Sequence, residues 1–422
     1  MTTTLSPVKE NQRIWVMDAL RGFAILGIFI ANLGTGFSFY DPSAPHSGPY
    51  FSSFDKQMTF LHHFLIEGKF YSIFSFLFGW GIALQLQRAE SKDLKPVSFV
   101  RRRLLFMFLL GLAHIILLWP GDIVAFYALV GFLLLWIRNW KEKTLLITAF
   151  VLILSPIFLY YIKMIWQPAM APSGLLWETG GNLGTKLTGI QSNEEFTNYM
   201  KNANYPELIK VNIPGLFFRF ADLLFQSRLS KVLGMFIIGY LIGRKGRYNK
   251  ILSNAKLLRV ITLCGLVMGL PANYILARYM ENGEAYYNLQ KEGLYRTIAY
   301  ALGVVPLACA YISLFFLLAK SRAGEKILSV FRPVGKMAFS NYILQSIIGT
   351  ITFLGLGFGM MGQIGPTYYS LFALIVFIFQ ILLSKLWLRY FNYGPVEWLW
   401  RSFTYGKRQG FRKKEDAMLA SV

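Results

Sequence analysis

Charged residues are scarce in this chain. They make up 15% of its 422 residues, and only 21 of them are acidic against 43 lysines and arginines. A soluble domain usually carries about 25% charged residues. The low charge and a hydrophobic share of 55% exclude a soluble globular enzyme. An aromatic share of 17% also excludes a disordered chain, because disordered chains contain few large apolar side chains.

Cysteine and histidine are rare as well. The two cysteines, Cys264 and Cys309, lie inside apolar runs, so they form neither a disulfide framework nor a zinc motif. Three of the four histidines lie between apolar runs and the last lies within one, in the order His46, His62, His63 and His114. Adjacent residues such as His62 and His63 do not face each other on a helix, and no metal site is predicted.

Long apolar runs are abundant. A helix needs about 20 mostly apolar residues to cross a bilayer. Ten runs reach or approach that length, at residues 15–37, 70–86, 104–119, 123–137, 144–162, 229–242, 260–276, 297–319, 337–358 and 368–388. The sequence therefore predicts an all-α polytopic membrane helix bundle of about ten transmembrane helices, within a range of 9–11.

The positive charges alternate between the two sides of this bundle. Cytoplasmic loops carry excess lysine and arginine, and the segments on the side of the N-terminus hold thirty of them against about nine on the other side. Both termini are therefore predicted to be cytoplasmic, in a single transmembrane domain over residues 1–422. Residues 36–69 and 163–212 are the predicted extracytoplasmic loops, and residues 401–422 the cytoplasmic tail. Charge spread over loops suits membrane lipids and excludes a nucleic-acid groove.

The first predicted span carries charge at membrane depth, where charge is costly and by default indicates function. Asp18 and Arg21 are three residues apart, so they can pair on one helix face, and Asn32 returns to that face about three turns later. This stripe has two interpretations. It is a structural ion pair that holds the helix against its neighbours, or Arg21 helps to hold an anionic ligand near the cytoplasmic end.

The third predicted span carries His114. It lies eleven residues after Arg103, or about 16 Å along a helix, so we expect it in the middle or outer half of the membrane. Imidazole accepts and releases a proton near neutral pH, as a general base must. A hydrogen bond between helices is the plainer interpretation. Asp122 opens the next helix, either as a simple N-terminal cap or as part of a catalytic site.

The ninth predicted span has one polar face. Asn341, Gln345 and Gly349 follow one another at four-residue steps, so they lie on one side of a helix. Hydrogen bonds to a neighbouring helix explain this face, and a ligand path explains it equally well.

Several segments resemble one known family when they are taken together. They are DALRGFAILG at 18–27, GKF and FSFLFG within 68–79, His114 with WPGDI at 119–123, GKMA and Asn341-Tyr342 within 335–342, and GPVEWLWR at 394–401. This combination resembles the YeiB-like family of bacterial inner-membrane proteins, whose function is unknown and which has been labelled as involved in transport. The resemblance implies a multi-pass protein of the bacterial cytoplasmic membrane.

That family is distantly similar to the transmembrane acyltransferases, which include the lysosomal heparan-glucosaminide acetyltransferase and the bacterial sugar O-acetyltransferases. In those enzymes an Asp-x-x-Arg-Gly first helix recurs, acyl-CoA enters from the cytoplasm, and a histidine near the outer half passes or activates the acyl group. The lysosomal enzyme has this histidine after the first span, where the present chain has His46, His62 and His63. The YeiB-like motif instead contains His114. The resemblance therefore leaves four candidates for a catalytic histidine.

Three functions fit these observations. The first is acyl-CoA-dependent transfer of an acyl group to an extracytoplasmic glycan or lipid acceptor, with His114 and Asp122 as catalytic residues. Acyl-CoA, such as acetyl-CoA, is then a co-substrate and no permanently bound cofactor is predicted. The residues predicted to bind the donor or ligand are Asp18, Arg21, Asn32, Lys69, Arg101, Arg102, Arg103, Asn341 and Gln345. The alternatives are a small-solute transporter and a lipid-handling protein without chemistry, and a homodimer is left open.

Overall fold

Helices account for almost all of the chain that the structure describes. The computed structural model describes residues 14–40, 48–91, 95–280 and 283–413. Within these ranges nineteen α-helices follow one another: α1 (Trp15–Asn32), α2 (Asp55–Leu61), α3 (Lys69–Glu90), α4 (Pro96–Leu117), α5 (Val124–Ile137), α6 (Glu142–Ile165), α7 (Ala171–Thr188), α8 (Asn193–Asn202), α9 (Tyr205–Phe225), α10 (Arg228–Gly243), α11 (Arg247–Ser253), α12 (Ala255–Met280), α13 (Gly283–Tyr287), α14 (Lys291–Leu318), α15 (Arg322–Ser329), α16 (Arg332–Lys336), α17 (Ala338–Phe353), α18 (Pro366–Tyr390) and α19 (Pro395–Tyr405). The all-α prediction is confirmed.

Six helical segments are long and apolar enough to cross a membrane. They are Trp15–Ser38, Asp55–Glu90, Glu142–Ile165, Ala255–Met280, Lys291–Leu318 and Pro366–Tyr390. All but the first expose large apolar side chains, and on α18 Leu371, Ile375 and Leu382 are 53%, 57% and 61% exposed. A broad apolar surface of this kind suits lipid and would be a liability in water. The chain is therefore a helical membrane protein.

The other four predicted spans coincide with α4, α5, α10 and α17. Helix α5 is apolar but has only 14 residues. Helices α10 and α17 have 16 residues each, or about 24 Å of length, against a hydrocarbon core of about 30 Å. The count of ten stays a prediction. So does the cytoplasmic position of the termini, because residues 1–13 and 414–422 lie outside the described ranges.

The segments predicted as extracytoplasmic loops are largely helical. Residues 163–212 contain α7, α8 and the start of α9, and residues 36–69 contain α2. The side chain of Ser192 caps α8, while Asn204 and Glu207 form a reciprocal capping box at the start of α9. These caps satisfy the first amide groups of each helix. A polar composition typical of loops is therefore compatible with short helices here.

Two glycines let α1 pack against α16 at the centre of the bundle. A Cβ atom on Gly22 would overlap the carbonyl oxygen of Phe331, and one on Gly335 would overlap the carbonyl oxygen of Asp18. Both obstacles are backbone atoms, which cannot turn aside as a side chain can. The close approach brings the α16–α17 segment beside Asp18 and Arg21, and it explains why two of the motif glycines occupy these positions.

We expect Gly335→Ala to destabilise the protein. The backbones of α1 and α16 would have to separate, and overpacking of this kind costs about 1–3 kcal/mol, more than the gain in helix propensity of up to ~1 kcal/mol. Gly181→Ala in α7 is the matched control, because a Cβ there meets no atom within 4 Å. Thermal unfolding in detergent measures both, and equal unfolding temperatures for the two variants would contradict this packing role.

Candidate functional site

A large cavity opens inside the bundle between six helices. Its volume is about 280 Å³, and its walls come from α1, α3, α4, α5, α17 and α19, with Gly335 and Lys336 at the end of α16. Along α3 the lining runs from Arg88 at one end to Phe74 at the other, which is about 21 Å of helix. The cavity is therefore a long chamber that follows the helices.

One end of the cavity is strongly cationic. Its lining contains five basic side chains drawn from five helices, Arg21, Arg88, Arg103, Lys336 and Arg401, together with two acidic ones, Asp18 and Glu397. The guanidinium of Arg103 lies over the ring of Trp400, 3.5 Å from its centroid. Stacking on an aromatic face holds arginine while its N–H groups stay available. This end, called the mouth below, therefore attracts anions.

Both acidic residues at the mouth have structural partners. Arg21 Nη1 lies 3.0 Å from Asp18 Oδ1, and the Arg21 side chain is 26% exposed against 6% for Asp18. This is the pair expected from the spacing, and its part in ligand binding stays a prediction. Glu397 accepts hydrogen bonds from the amides of Phe339 and Ser340 at 2.7 and 3.2 Å. It thereby caps α17, and its charge is directed at that helix.

The middle of the cavity is apolar. Ile25 and Ile28 of α1 face Leu104 and Met107 of α4 across it, with Phe74 beyond them on α3. The two phenolic side chains that line the opposite end are Tyr127 and Tyr342. An amphiphile with an anionic head would find its charge matched at the mouth and its apolar part covered further in.

Behind Tyr342 lies the candidate catalytic cluster. The Tyr342 hydroxyl lies 3.2 Å from Asp122 Oδ2 and donates to it. The same carboxylate oxygen lies 3.0 Å from His114 Nδ1, with side-chain exposures of 2% for His114 and 0% for Asp122. His114 itself does not line the cavity; Tyr342 stands between them. A general base that acts on a bound donor is expected to line the cavity, and the structure instead puts His114 one side chain behind the wall.

His114 is a buried histidine that makes no well-aligned hydrogen bond among the described residues. Its Nδ1 is close to Asp122, but neither ring nitrogen has a hydrogen-bond partner among the described residues. Buried polar atoms are nearly always paired, so an unpaired one calls for an explanation. The ring lies against that of Tyr342 with the centroids 5.3 Å apart. The contact with Asp122 holds one side of the ring, and Nε2 is left without a partner among the described residues.

Asp122 is held by the local chain as well as by the cluster. Its Oδ1 accepts from the Ala125 amide at 3.0 Å, so it caps the start of α5. Arg219 of α9 donates to the Asp122 carbonyl at 2.8 Å. Gly111 allows α4 to touch α5, because a Cβ there would overlap the Ala125 amide. Asp122 therefore caps α5 through Oδ1, while Oδ2 contacts Tyr342 and His114. Its part in catalysis stays a prediction.

The three consecutive arginines separate in the structure. Arg103 lines the mouth. Arg101 and Arg102 are exposed on the outside of α4, where Arg102 donates to the carbonyl of Phe403 at 3.2 Å. Side chains of adjacent helical residues point about 100° apart. Three in succession therefore spread over about 200° and could not all face one cavity.

The polar face of α17 bonds to α18. Asn341 Nδ2 donates to Ser384 Oγ, and Gln345 Nε2 donates to Gln380 Oε1, each at 2.9 Å. Neither Asn341 nor Gln345 lines the large cavity. Helix packing therefore accounts for this face.

Lys69, Asn32 and the loop histidines also lie away from the cavity. Lys69 is fully buried and donates to the His63 carbonyl at 2.6 Å. His62 contacts Tyr369 and Ser370 at 3.1 and 2.8 Å, and His63 lies 2.7 Å from Glu67. Every ring nitrogen of His62 is thus engaged, in contrast to His114. His46 lies outside the described residues.

Four of the polar lining residues that the sequence-based prediction missed are prominent at the mouth and at the inner end. Arg88, Lys336 and Arg401 were assigned to cytoplasmic loops or ends, and Tyr342 was noted only as a motif residue. Each lies on a different helix, so no local spacing connects them. Lys336, Tyr342 and Arg401 lie in the family motifs at 335–342 and 394–401. That position was the signal in the sequence that could have pointed to them.

Known proteins that match the chain are uncharacterized. A family model described as a protein of unknown function (DUF418) matches residues 242–407. YxaH, an uncharacterized protein of Bacillus subtilis (strain 168), is 31% identical over 419 residues, which cover 98% of this chain and 99% of the relative. The chain belongs to this family of unknown function.

Another member extends the same relationship. YeiB of Escherichia coli (strain K12), also uncharacterized, is 29% identical over 409 residues, or 93% of this chain and 96% of the relative. The predicted membership in the YeiB-like family is confirmed. No solved structure matches the chain. The names of these relatives state no activity. The features of the chain that bear on function are the large cavity and the cluster of Tyr342, Asp122 and His114.

Proposed function

We propose that this protein transfers an acyl group from acyl-CoA to a hydroxyl or amino group of a glycan or lipid on the far side of the membrane. One observation carries the proposal: a cationic mouth leads through an apolar chamber to Tyr342, with Asp122 and His114 behind it. Acyl-CoA has a matching order of groups. Its phosphates lie at one end, as the cations of the cavity do, and its thioester lies at the other.

The donor would bind with its phosphates at the mouth. Hydrogen bonds between arginine and phosphate are charge-assisted and about twice as strong as neutral ones. Arg103, held by Trp400, would lose little entropy on binding. The pantetheine arm and the acyl chain would then lie along Ile25, Leu104 and Met107, where burial of apolar surface contributes about 25 cal/mol per Å².

The transfer needs one base at the inner end. The acceptor oxygen or nitrogen attacks the thioester carbon, and the C–S bond breaks as the new bond forms. The acceptor proton passes to His114 and then to the departing CoA thiolate. Asp122 would orient the ring and stabilise its protonated form through Nδ1, which leaves Nε2 for the proton. Tyr342 would have to move or to relay that proton, because it separates His114 from the chamber.

The proposal requires the mouth to face the cytoplasm, where acyl-CoA is made. We expect a fluorescent protein fused after Val422 to fluoresce and an alkaline phosphatase at the same position to be inactive, since thirty of the loop cations lie on that side and cytoplasmic loops are basic. An active phosphatase fusion would put the mouth on the wrong side for acyl-CoA.

Binding and turnover by the purified protein in detergent test the function. Titration calorimetry with acetyl-CoA and a longer acyl-CoA should give saturable binding, and the protein should release CoA from both. Arg103→Gln should weaken binding by about tenfold, while Arg101→Gln, on the outer surface of the same helix, should not change it. Binding without CoA release would favour a transporter, and failure to bind would favour a lipid-handling protein.

A further inference from the structure

A second, smaller cavity lies at the other end of α3. It has a volume of about 30 Å³, and its lining includes Glu67, just before α3, and Tyr71 in its first turn. Arg88 at the mouth of the large cavity is 17 residues beyond Tyr71, or about 25 Å along the helix. The small cavity is therefore a separate site on the opposite side of the bundle.

Three basic side chains meet in this small space. Arg228 and Lys231 come from the first turn of α10, and Arg296 comes from α14. Lys231 is only 9% exposed, and its Nζ lies 4.0 Å from the centroid of the Tyr300 ring. Arg228 lies over Tyr71. Aromatic faces attract cations, but they do not neutralise them.

No carboxylate pairs with these cations within the described ranges. None of the ion pairs there involves Arg228, Lys231 or Arg296. Glu67, the one acidic residue in the lining, lies 2.7 Å from His63 Nδ1. Lys231 therefore has a buried ammonium group that is directed into a cavity and has no hydrogen-bond acceptor among the described side chains. A buried charge without a partner is costly, and three like charges add repulsion.

We propose that this cavity binds a phosphate group in its dianionic form. With Lys231 protonated, three cations and one carboxylate have a net charge of two, which a bound phosphate monoester would balance and a carboxylate would not. Arginine binds phosphate oxygens through paired N–H groups. The hydroxyls of Tyr71 and Tyr300, which contact each other, can donate to further oxygens. The group could belong to a lipid headgroup or to a soluble phosphate, since the pocket recognises their shared chemistry.

The experiment measures unfolding temperature of the full-length protein purified in an uncharged detergent. Inorganic phosphate is titrated against chloride at equal ionic strength. In parallel, phosphatidylcholine nanodiscs are compared with ones containing phosphatidic acid, a phosphomonoester, or phosphatidylglycerol, a diester. We expect phosphate or phosphatidic acid to raise the unfolding temperature, as a ligand of the native state does, and phosphatidylglycerol to raise it less. A response to inorganic phosphate alone identifies a soluble phosphate as the ligand, and a response to phosphatidic acid alone identifies a lipid headgroup.

Two variants assign that response to the small cavity. Lys231→Met should weaken the phosphate effect by about tenfold or more, and without phosphate it should unfold no earlier than wild type, because repulsion is relieved. Arg296→Gln should also lose the effect, whereas Lys291→Gln, exposed on the same helix, should keep it. The proposal is overturned if wild type responds to neither probe. It is also overturned if Arg103→Gln loses the response while Lys231→Met keeps it. Neither readout uses acyl-CoA, so failure here leaves the acyl transfer untouched.

Discussion

Replacing His114 by alanine should lower the rate of acyl transfer by about 10²–10⁴-fold, the usual effect of removing a general base. Folding and acyl-CoA binding should change little, because the donor contacts lie at the mouth and along the apolar chamber. Asp122 would keep its bonds to Ala125 and Tyr342, so the carboxylate would still be partnered. CoA release by purified protein measures the rate, and calorimetry measures binding.

His62→Gln is the comparison that separates the candidate histidines. His62 is also buried, but its two ring nitrogens already contact Tyr369 and Ser370. We expect this variant to lose some stability and to keep its turnover per folded molecule. Full activity in His114→Ala with loss in His62→Gln would transfer the catalytic role to the segment after the first span, as in the lysosomal enzyme.

Filling the chamber should weaken donor binding while the protein still folds. Gly81 lines the large cavity, and a Cβ there would meet only the Gln85 side chain, at 3.9 Å. A phenylalanine at this position would project into the space that the pantetheine arm or acyl chain needs. Overpacking costs about 1–3 kcal/mol, so Gly81→Phe should raise the Kd for acyl-CoA by about tenfold to hundredfold, as measured by calorimetry.

Two controls accompany this substitution. Gly81→Ala adds a methyl group that the site can accept, so it should keep binding and gain up to ~1 kcal/mol of helix stability. Gly181→Phe adds the same ring on α7, where a Cβ meets no atom within 4 Å. If Gly81→Phe bound acyl-CoA as wild type does, the donor would lie elsewhere.

Local spacing predicted the parts of the site that lie within one helix. Asp18 and Arg21 pair because residues three apart share a helix face, and that alone brings them to 3.0 Å. The capping role of Asp122 also follows from its position at a helix start. The contacts of the His114 ring do not follow from the sequence, because they depend on where α5 and α17 carry Asp122 and Tyr342.

Contacts between distant helices could not be predicted from spacing. The mouth joins Arg88, Lys336 and Arg401 from three separate helices, and the small cavity joins Lys231 to Arg296 across 65 residues. The charges of Arg88, Lys336 and Arg401 indicated the cytoplasmic side and no shared site, and Lys231 falls inside the predicted span at 229–242. The polar face of α17 has two equal explanations in the sequence, and the bonds from Asn341 to Ser384 and from Gln345 to Gln380 on α18 favour packing. Whether polar side chains on distant helices meet in one site depends on how the helices pack, which local spacing does not specify.

The central claim is that acyl-CoA occupies the large cavity with its thioester at Tyr342. An electron cryomicroscopy structure of the protein with a non-hydrolysable acyl-CoA analogue tests it most directly. The account predicts phosphate density beside Arg103 and Arg401, a chain of density along Ile25 and Met107, and the thioester position next to Tyr342. An empty chamber at saturating analogue, or analogue bound outside it, would contradict the account.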